Sequence, residues 1–252
     1  MIPITFNVTY YNEPQWLRWW FDTTKDLYQK GCPVTLAIVD DGSMRVPASE
    51  YFEKRAPWPC MKLYRVIEDI GFNSHGARNL LMKQTTTDWN MLSDIDRQYP
   101  RETLEHIMSD EFNHTRGEYY TYLENRRKKD WSLNDYCCNR YDFWLTGGYD
   151  EEFTNMHTGD RVWFKNAFLD VVKEVRKPGM FVNYVRGARD VSESPDLYTT
   201  SYPDDDTLIN PRTVWSDKKT RDKLMAYIEE RNRNREIRQT KRILTFPWEQ
   251  VF

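Results

Sequence analysis

The chain has 252 residues with 36 basic and 39 acidic side chains, so its net charge of about −3 gives no strong overall field to attract nucleic acid or a membrane surface. Hydrophobic residues make up 39% and aromatic residues 15%, which is enough apolar surface for a folded domain and excludes a disordered chain. No stretch approaches the roughly 18 apolar residues of a membrane-spanning helix, and the start lacks the basic and apolar regions of a signal peptide, so we expect a cytoplasmic protein.

The first half of the chain alternates predicted strands and helices. Strands are predicted over 4–10, 34–39, 61–67 and 89–93, and helices over 15–30, 47–55, 74–86 and 101–110. The second strand is continuously apolar, as a strand buried on both faces should be. This alternation with short connections predicts an α/β layer with a largely parallel sheet.

The second half is less regular. We expect strands over 119–123, 137–145 and 181–185, a helix over 160–172, a loop over 192–213 and a polar helix over 216–243. The last of these carries ten basic and five acidic residues, which fits either a solvated helix or a patch for nucleic acid or anionic lipid. The four cysteines, Cys32, Cys60, Cys137 and Cys138, have no metal-type spacing, so we expect reduced, buried thiols.

Acidic and polar residues follow three of the predicted strands. These segments are Thr9 to Glu13, Asp40 to Ser43 and Asp94 to Asp96. Ligands of parallel α/β sheets gather at the carboxyl ends of the strands. We therefore expect these residues to converge on one crevice.

Two of these segments are candidates for binding chemistry. Asp94 and Asp96 offer the carboxylate oxygens that suit Mg²⁺ or Mn²⁺, and a metal there would neutralise a diphosphate leaving group. A surface turn is the alternative reading of that pair. Asp40-Asp41-Gly42-Ser43 fits a turn and helix cap, or a carboxylate that meets the imide N–H of a pyrimidine or a ribose hydroxyl.

Two predicted helix starts add further candidates. The segment Gly71 to Asn79 opens a helix whose backbone N–H groups, with Arg78, could face phosphate oxygens. Gly159-Asp160 opens a later helix and could supply a general base. An ordinary helix cap is the alternative in both places.

These motifs, in this order, resemble those of the GT-A nucleotide-sugar glycosyltransferases, and particularly of glycosyltransferase family 2. The matching segments are Thr9 to Glu13, Asp40 to Ser43, Gly71 to Asn79, Asp94 to Asp96, Gly147 to Glu151 and Gly159-Asp160. The resemblance covers roughly residues 2–185. It implies a Rossmann-like mixed sheet flanked by helices, with a GT-A domain over 1–190, divided into a donor half (about 1–100) and an acceptor half (about 101–190). Residues 191–252 would form a loop and a basic helical extension packed on that domain.

The resemblance also implies roles for individual residues. Those that would bind the uracil, ribose or phosphates of a UDP-type donor are Thr9, Tyr11, Glu13, Asp40, Asp41 and Arg78. Asp94 and Asp96 would hold Mn²⁺ or Mg²⁺, and Asp160 would deprotonate the acceptor hydroxyl, whose attack inverts the anomeric carbon. The acceptor-side residues would be Gly148, Tyr149, Asp150 and Glu151.

Several points stay open at this level. No histidine follows His157, so the third metal ligand of some GT-A enzymes is missing unless Asp190 replaces it. The acceptor is a glycan or small molecule, or a hydroxymethylated base in phage DNA, and in the latter case the protein would act in the host cytoplasm. The alternatives are a nucleotidyltransferase, which the absence of a Gly-rich loop after the first strand disfavours, and a non-catalytic nucleotide-sugar-binding module. No motif gives the sugar or the oligomeric state.

Overall fold

The computed structural model describes residues 2–15, 17–18, 34–53, 60–109, 112, 114–124, 131–154, 163–184 and 218–252. The strands are β1 Ile4–Tyr10, β2 Val34–Asp40, β3 Met61–Val66, β4 Trp89–Asp94, β5 Arg97–Gln98, β6 Glu118–Glu124, β7 Trp131–Asn139, β8 Lys173–Tyr184 and β9 Trp248–Gln250. The helices are α1 Ala48–Glu53, α2 Ser74–Gln84, α3 Arg101–Met108, α4 Arg140–Leu145, α5 Lys218–Arg233 and α6 Arg235–Thr240. A 3₁₀ turn covers Glu151–Phe153 and a π-helical turn covers Phe164–Phe168.

The described strands form one sheet in the order β5-β8-β6-β7-β4-β1-β2-β3-β9. Four strands in its centre, β4, β1, β2 and β3, run parallel to one another, as the sequence predicts. Tyr10 lies opposite Asp40, and Thr9 lies opposite Asp94. The carboxyl ends of β1, β2 and β4 therefore meet at one edge of the sheet.

The rest of the sheet is mixed, so the expectation of a largely parallel sheet is wrong outside the centre. β7 runs antiparallel to both β4 and β6, while β6 pairs in parallel with β8. Only six residues separate β6 from β7, which is too few for the crossover that a parallel pair needs. The mixed sheet flanked by helices that the resemblance implied is confirmed.

Three predicted elements of the second half are corrected. The predicted strand over 137–145 is wrong after Asn139, whose side chain accepts a hydrogen bond from the Tyr141 N–H (2.9 Å) and begins α4. The aromatic residues of this stretch favour strands, but the cap decides for a helix. The predicted helix over 216–243 is divided at Asn234, which caps α6 in the same way. β8 begins eight residues before the predicted start at 181.

Some predicted elements fall largely or wholly on residues that the structure does not describe. Of the helix over 15–30 only residues 15, 17 and 18 are described, and the loop over 192–213 lies outside the described residues. The helix over 160–172 is described from Trp163, and its π-helical turn ends at Phe168. Cys60, Cys137 and Cys138 are free thiols. Cys137 and Cys138 are fully buried, as expected, whereas Cys60 is only half-buried, and Cys32 is not described.

The C-terminal extension is part of the domain core. β9, which the sequence analysis did not predict, pairs antiparallel with β3, and the Val251 N–H donates to the Leu63 carbonyl (2.8 Å). Phe246 is buried in one cluster with Leu80 and Leu81 of α2. Without β9, β3 would be an edge strand, so the end of the chain satisfies backbone groups of β3 that would otherwise be unpaired in the sheet. Within the described residues, none of the helices has the length and apolar character needed to cross a bilayer.

An ion pair fastens α5 to the domain. Arg231 Nε lies 2.9 Å from Asp150 Oδ2, and Arg231 Nη2 also donates to Asp150 Oδ1 (3.3 Å). The Asp150 side chain is only 5% exposed and that of Arg231 17% exposed. Removing the guanidinium would leave a buried carboxylate without its charged partner.

We expect Arg231→Met to lower the free energy of unfolding by about 2–3 kcal/mol. Arg233→Met on the same helix is the matched control, because Arg233 is 64% exposed and pairs with Glu229 at the surface. Its loss should cost less than about 0.5 kcal/mol. Urea unfolding of both variants measures the difference, and equal effects would contradict this role for Arg231.

Candidate functional site

The loops after β1 and β2 are joined at the carboxyl edge of the sheet. Asn12 adopts a positive φ of 50°, and its side-chain Oδ1 accepts hydrogen bonds from the N–H groups of Arg45 and Val46 (3.1 Å each). The Asn12 N–H in turn donates to Ser43 Oγ (2.8 Å). One asparagine therefore fixes the end of the Thr9 to Glu13 segment against the Asp-Asp-Gly-Ser segment.

The loop after β3 packs against the same place. Gly42 has a φ of 77°, and a Cβ there would lie 2.8 Å from the Glu68 carbonyl oxygen. Only glycine fits that approach and that backbone conformation. The Tyr11 hydroxyl donates to Asp69 Oδ2 (2.7 Å), which links the first and third loops.

Asp40 is used by the fold itself. Its two carboxylate oxygens accept hydrogen bonds from the Ser43 N–H (2.9 Å) and the Ala48 N–H (2.7 Å). Burial raises the pKa of this carboxyl group. Asp40 thus takes the turn-and-cap role that the sequence analysis left as the alternative, and its predicted contact with a donor gains no support from this geometry.

Asp41 is the more distinctive of the two aspartates. Its Oδ2 accepts a hydrogen bond from the Asn73 N–H (3.0 Å), whereas its Oδ1 is buried and has no hydrogen-bond partner among the described residues. Burial raises the pKa of Asp41 to about 7, and the neighbouring charges of Asp40 and Asp69 act in the same direction. A buried acceptor without a partner is costly, so this oxygen is suited to a ligand N–H.

The other predicted donor residues lie at the same edge. Thr9 is half-buried one residue before the end of β1, and Tyr11 and Glu13 follow it in the loop. The structure therefore brings Thr9, Tyr11, Glu13 and Asp41 together around one set of loops.

The predicted metal pair stands at the end of the neighbouring strand. Asp94 is the last residue of β4 and is 30% exposed, while Asp96 lies in the turn to β5 and is 14% exposed. Arg78, predicted to face phosphates, is buried on α2, and its Nη2 lies 2.7 Å from Asp94 Oδ1. The structure therefore places Arg78 directly against the candidate metal pair.

The sequence analysis missed Asp135, which organises this turn from β7. Its Oδ1 accepts hydrogen bonds from Ser93 Oγ (2.9 Å) and the Tyr99 hydroxyl (3.2 Å), and its Oδ2 lies 3.0 Å from Arg97 Nε. Asp135 is fully buried. The visible signal was an aspartate next to the apolar run Tyr136-Cys137-Cys138, because a charge in a central strand needs partners.

The donor set at Asp94 and Asp96 fits a divalent cation. Both side chains are carboxylates, both reach solvent, and hard oxygen ligands are those that Mg²⁺ and Mn²⁺ prefer. In the part of the chain that the structure describes, no group of three or more His, Cys, Asp or Glu residues could hold a metal. Asp190 lies outside the described residues, so the coordination would be completed by donor oxygens and water, or by Asp190.

The segment predicted to face an acceptor is turned inward. Asn79 on α2 accepts a hydrogen bond from the Tyr149 N–H (2.9 Å) and donates to Glu151 Oε1 (2.8 Å). Gly148 has a φ of 73°, and a Cβ there would lie 2.8 Å from Asn79 Oδ1. Asp150 pairs with Arg231. These residues form scaffold contacts, and their predicted acceptor role gains no support here.

The predicted base, Asp160, lies outside the described residues. The last described residue before it, Thr154, donates through its hydroxyl to the Glu151 carbonyl (2.7 Å). The Gly148 to Glu151 scaffold therefore leads directly into the segment that carries Asp160.

The fold and this edge define a GT-A glycosyltransferase domain. A family model described as glycosyl transferase family 2 matches residues 5–158, and the chain belongs to that family. The match also excludes the nucleotidyltransferase reading of the sequence. No curated protein matches the sequence.

Solved structures show the same fold at low sequence identity. The mannosyltransferase PcManGT from Pyrobaculum calidifontis, in complex with GDP-Man and Mn²⁺, is 16% identical with a TM-score of 0.58, over 75% of this chain and 58% of that one. TarS 1–349 from S. aureus, in complex with UDP-GlcNAc, is 15% identical with a TM-score of 0.59, over 79% of this chain and 64% of that one. The catalytic domain of Drosophila β1,4-galactosyltransferase 7 is 10% identical with a TM-score of 0.55, over 86% and 81% of the two chains. The chain thus spans only about three-fifths of the first two structures.

The raised pKa of Asp41 predicts a pH-dependent stability. The folded pKa of about 7 lies above the ordinary value of 3.8, so the folded state binds more protons between those values and its stability falls as the pH rises through that window. A pKa shift of that size corresponds to roughly 4 kcal/mol of stability lost by the wild type at high pH. An asparagine at this position would avoid that loss but would bury an amide without a partner, which has its own cost. At pH 8 we expect the free energy of unfolding of Asp41→Asn to be about 1–3 kcal/mol higher than that of the wild type. At pH 4 this difference should disappear.

Chemical denaturation of both proteins across pH 4–8 measures the difference. An Asp41→Asn variant that is less stable than the wild type at pH 8 would contradict the view that this carboxylate is unsatisfied in the ligand-free fold.

Proposed function

We propose that this protein is a metal-dependent, inverting glycosyltransferase that moves a sugar from a UDP-sugar to a hydroxyl group of a glycan or small molecule. The observation that carries the proposal is the buried, unpartnered Oδ1 of Asp41, at the same sheet edge as the carboxylates of Asp94 and Asp96. The Asp41 oxygen suits a nucleobase, and the carboxylates of Asp94 and Asp96 suit a metal-bound diphosphate.

Asp41 supports a uracil nucleotide. The imide N–H of uracil is a hydrogen-bond donor that could reach Oδ1, whereas cytosine presents an acceptor at that ring position. The Asp41 N–H donates to the Tyr10 carbonyl (2.9 Å), so Tyr11 and Glu13 follow directly after the contact between the two loops. Their side-chain oxygens, with that of Thr9, could meet ribose hydroxyls. Guanine also carries ring N–H donors, and the similar structures include one complex with GDP-Man and one with UDP-GlcNAc, so the choice between uracil and guanine needs a direct test.

Asp94 and Asp96 would hold Mn²⁺ or Mg²⁺ together with the donor diphosphate. When bound, the cation would supply positive charge where negative charge develops on the leaving diphosphate. Arg78 on α2 pairs with one Asp94 oxygen, and Asn134 Nδ2 donates to the other (3.3 Å). These contacts preorganise one carboxylate, which is the contribution that the protein can make before the donor arrives.

Asp160 would accept the proton of the acceptor hydroxyl as that oxygen attacks the anomeric carbon opposite the leaving group, which inverts the configuration there. A positioned carboxylate base contributes typically 10²–10⁴-fold. We assign the buried segment Gly148 to Glu151 a supporting part on the acceptor side, because it anchors the polypeptide that leads to Asp160.

The contacts of the basic residues within 231–241 favour a glycan or small molecule over DNA as the acceptor. Arg231 and Arg238 bond within the fold, and Lys241 Nζ donates to the Gly148 carbonyl (2.6 Å). Burial lowers the pKa of Lys241 to about 8. Three cations of the basic segment therefore serve the scaffold, which weakens the reading of this segment as a polyanion patch. Hydroxymethylated DNA belongs in the acceptor test as the competing outcome.

We expect the purified protein to release nucleoside diphosphate slowly from one UDP-sugar in Mn²⁺ and to lose this activity in EDTA. Asp96→Asn should lower the rate by about 10²-fold or more, because it removes a charged metal ligand without changing the side-chain volume. Asp142→Asn is the matched control. Asp142 is a buried carboxylate paired with Arg116 (3.1 Å) at the opposite edge of the sheet, so the rate should stay near that of the wild type.

The assay uses a panel of UDP-, GDP- and TDP-sugars with coupled detection of the diphosphate, and calorimetry with the same panel measures binding. Donor binding without turnover, with every acceptor tried, would favour the non-catalytic module. If no nucleotide sugar in the panel binds and none is turned over, the proposed donor site is wrong.

Asp160→Asn should lower acceptor-dependent turnover by 10²–10⁴-fold while leaving the Kd for the nucleotide within a few-fold of the wild type. Asparagine keeps the shape of the side chain but cannot accept the proton. Turnover at the wild-type rate would show that the base lies elsewhere.

A further inference from the structure

Arg97 lies between two carboxylates at the candidate metal turn. Its Nε is 3.0 Å from Asp135 Oδ2 and 3.7 Å from Asp96 Oδ1. The Arg97 side chain is 13% exposed, so its charge is only partly screened by water. The guanidinium therefore divides its charge between a buried aspartate and a predicted metal ligand.

The orientation of Asp135 is fixed by contacts other than Arg97. Its Oδ1 accepts hydrogen bonds from Ser93 Oγ, the Tyr99 hydroxyl and, at 3.4 Å, the Asp94 N–H. These three donors belong to the two residues at the end of β4 and to the residue that follows β5. The remaining oxygen, Oδ2, is thereby aimed at Arg97.

The backbone of Arg97 is fixed as well. β5 pairs antiparallel with the end of β8, with Arg97 opposite Tyr184 and Gln98 opposite Asn183. The main chain at this position is part of the sheet, so the position of the charge is set by the side chain alone. Asp135 is the nearer of the two carboxylates, so its charge favours the observed position of the guanidinium.

A positive charge beside a metal ligand lowers the affinity of that ligand for a cation. Arg78 has this effect at Asp94, but it is the same in the wild type and in every variant compared below. Were Asp135 neutral, its amide N–H would face the N–H groups of Arg97, and the guanidinium would lose the nearer of these two carboxylates and shift towards Asp96. Were Arg97 neutral, Asp96 would lose a competing cation. The two changes should thus act in opposite directions.

We propose that Asp135 and Arg97 form a charge pair that sets the affinity of the Asp94–Asp96 turn for a divalent cation, with Asp135 as the positioning residue that keeps Arg97 away from Asp96. This inference rests on the proposed function, because it assumes that the turn binds a cation. On this inference the turn alone binds a cation weakly, and the oxygens of a diphosphate would supply the further ligands.

The test is a double-mutant cycle on Mn²⁺ binding. The electron paramagnetic resonance signal of free Mn²⁺ measures the binding, with and without UDP. It uses the full chain and requires no turnover. We expect Arg97→Met to tighten Mn²⁺ binding about 10-fold and Asp135→Asn to weaken it about 10-fold. In the double variant the affinity should match Arg97→Met alone, because Asp135 acts through Arg97.

The matched control is Asp142→Asn, another buried carboxylate paired with an arginine, at the opposite edge of the sheet. Its Mn²⁺ affinity should equal that of the wild type. If Asp135→Asn weakens binding by the same factor with and without Arg97, a simple field effect explains it and the inference is overturned. If Asp135→Asn does not fold, Arg97→Lys decides, since a retained charge should leave the affinity near the wild-type value while Arg97→Met tightens it, and equal affinities overturn the inference.

The outcome separates the inference from the proposed function. A wild type that binds Mn²⁺ with UDP, together with variants that do not move in opposite directions, overturns the inference alone. If neither the wild type nor Arg97→Met binds Mn²⁺ with UDP, the proposed metal dependence fails and the inference fails with it.

Discussion

The parallel pairing of β1 with β2 and β4 is the constraint on which the candidate site depends. It places Tyr10 opposite Asp40 and Thr9 opposite Asp94, so three loops leave the sheet at the same edge. Backbone hydrogen bonds alone would not bring those loops into contact. The side chain of Asn12 and the missing side chain of Gly42 do so, because each allows one loop to lie directly against the next. The loops at this edge therefore have a fixed geometry.

Charge is balanced very differently among the aspartates of this edge. Asp40 has backbone N–H groups on both oxygens, and Asp94 has the buried guanidinium of Arg78. Asp41 has neither, since one of its oxygens is buried without a hydrogen-bond partner among the described residues. Carboxylates that the fold satisfies add to its stability, whereas one that it leaves unsatisfied lowers stability and is best explained by a ligand. The contrast between the neighbours Asp40 and Asp41 is the strongest structural argument for a base-binding site.

The C-terminal extension contacts both the central sheet and the chain segment that leads to the predicted base. β9 covers the edge of β3, and Arg231 together with the N–H groups of Leu244 and Thr245 binds the buried carboxylates of Asp150 and Glu151. The chain that leads to the predicted base is therefore anchored both by α2 and by residues about 80–95 positions further along the sequence. Residues 218–252 thus contribute a strand to the sheet and side chains to the core.

The sequence by itself determined the strands of the central sheet, the turn after each strand and the family motifs. These features are local: apolar runs, glycine, asparagine and aspartate at turns, and short motifs are all read within a few residues. Only the tertiary structure decided the antiparallel half of the sheet, the strand β9, the inward contacts of Gly148 to Glu151 and the part played by Asp135. Each of these depends on a partner far away in the sequence, and neither periodicity nor turn chemistry specifies which distant carboxylate, guanidinium or strand edge a residue will meet.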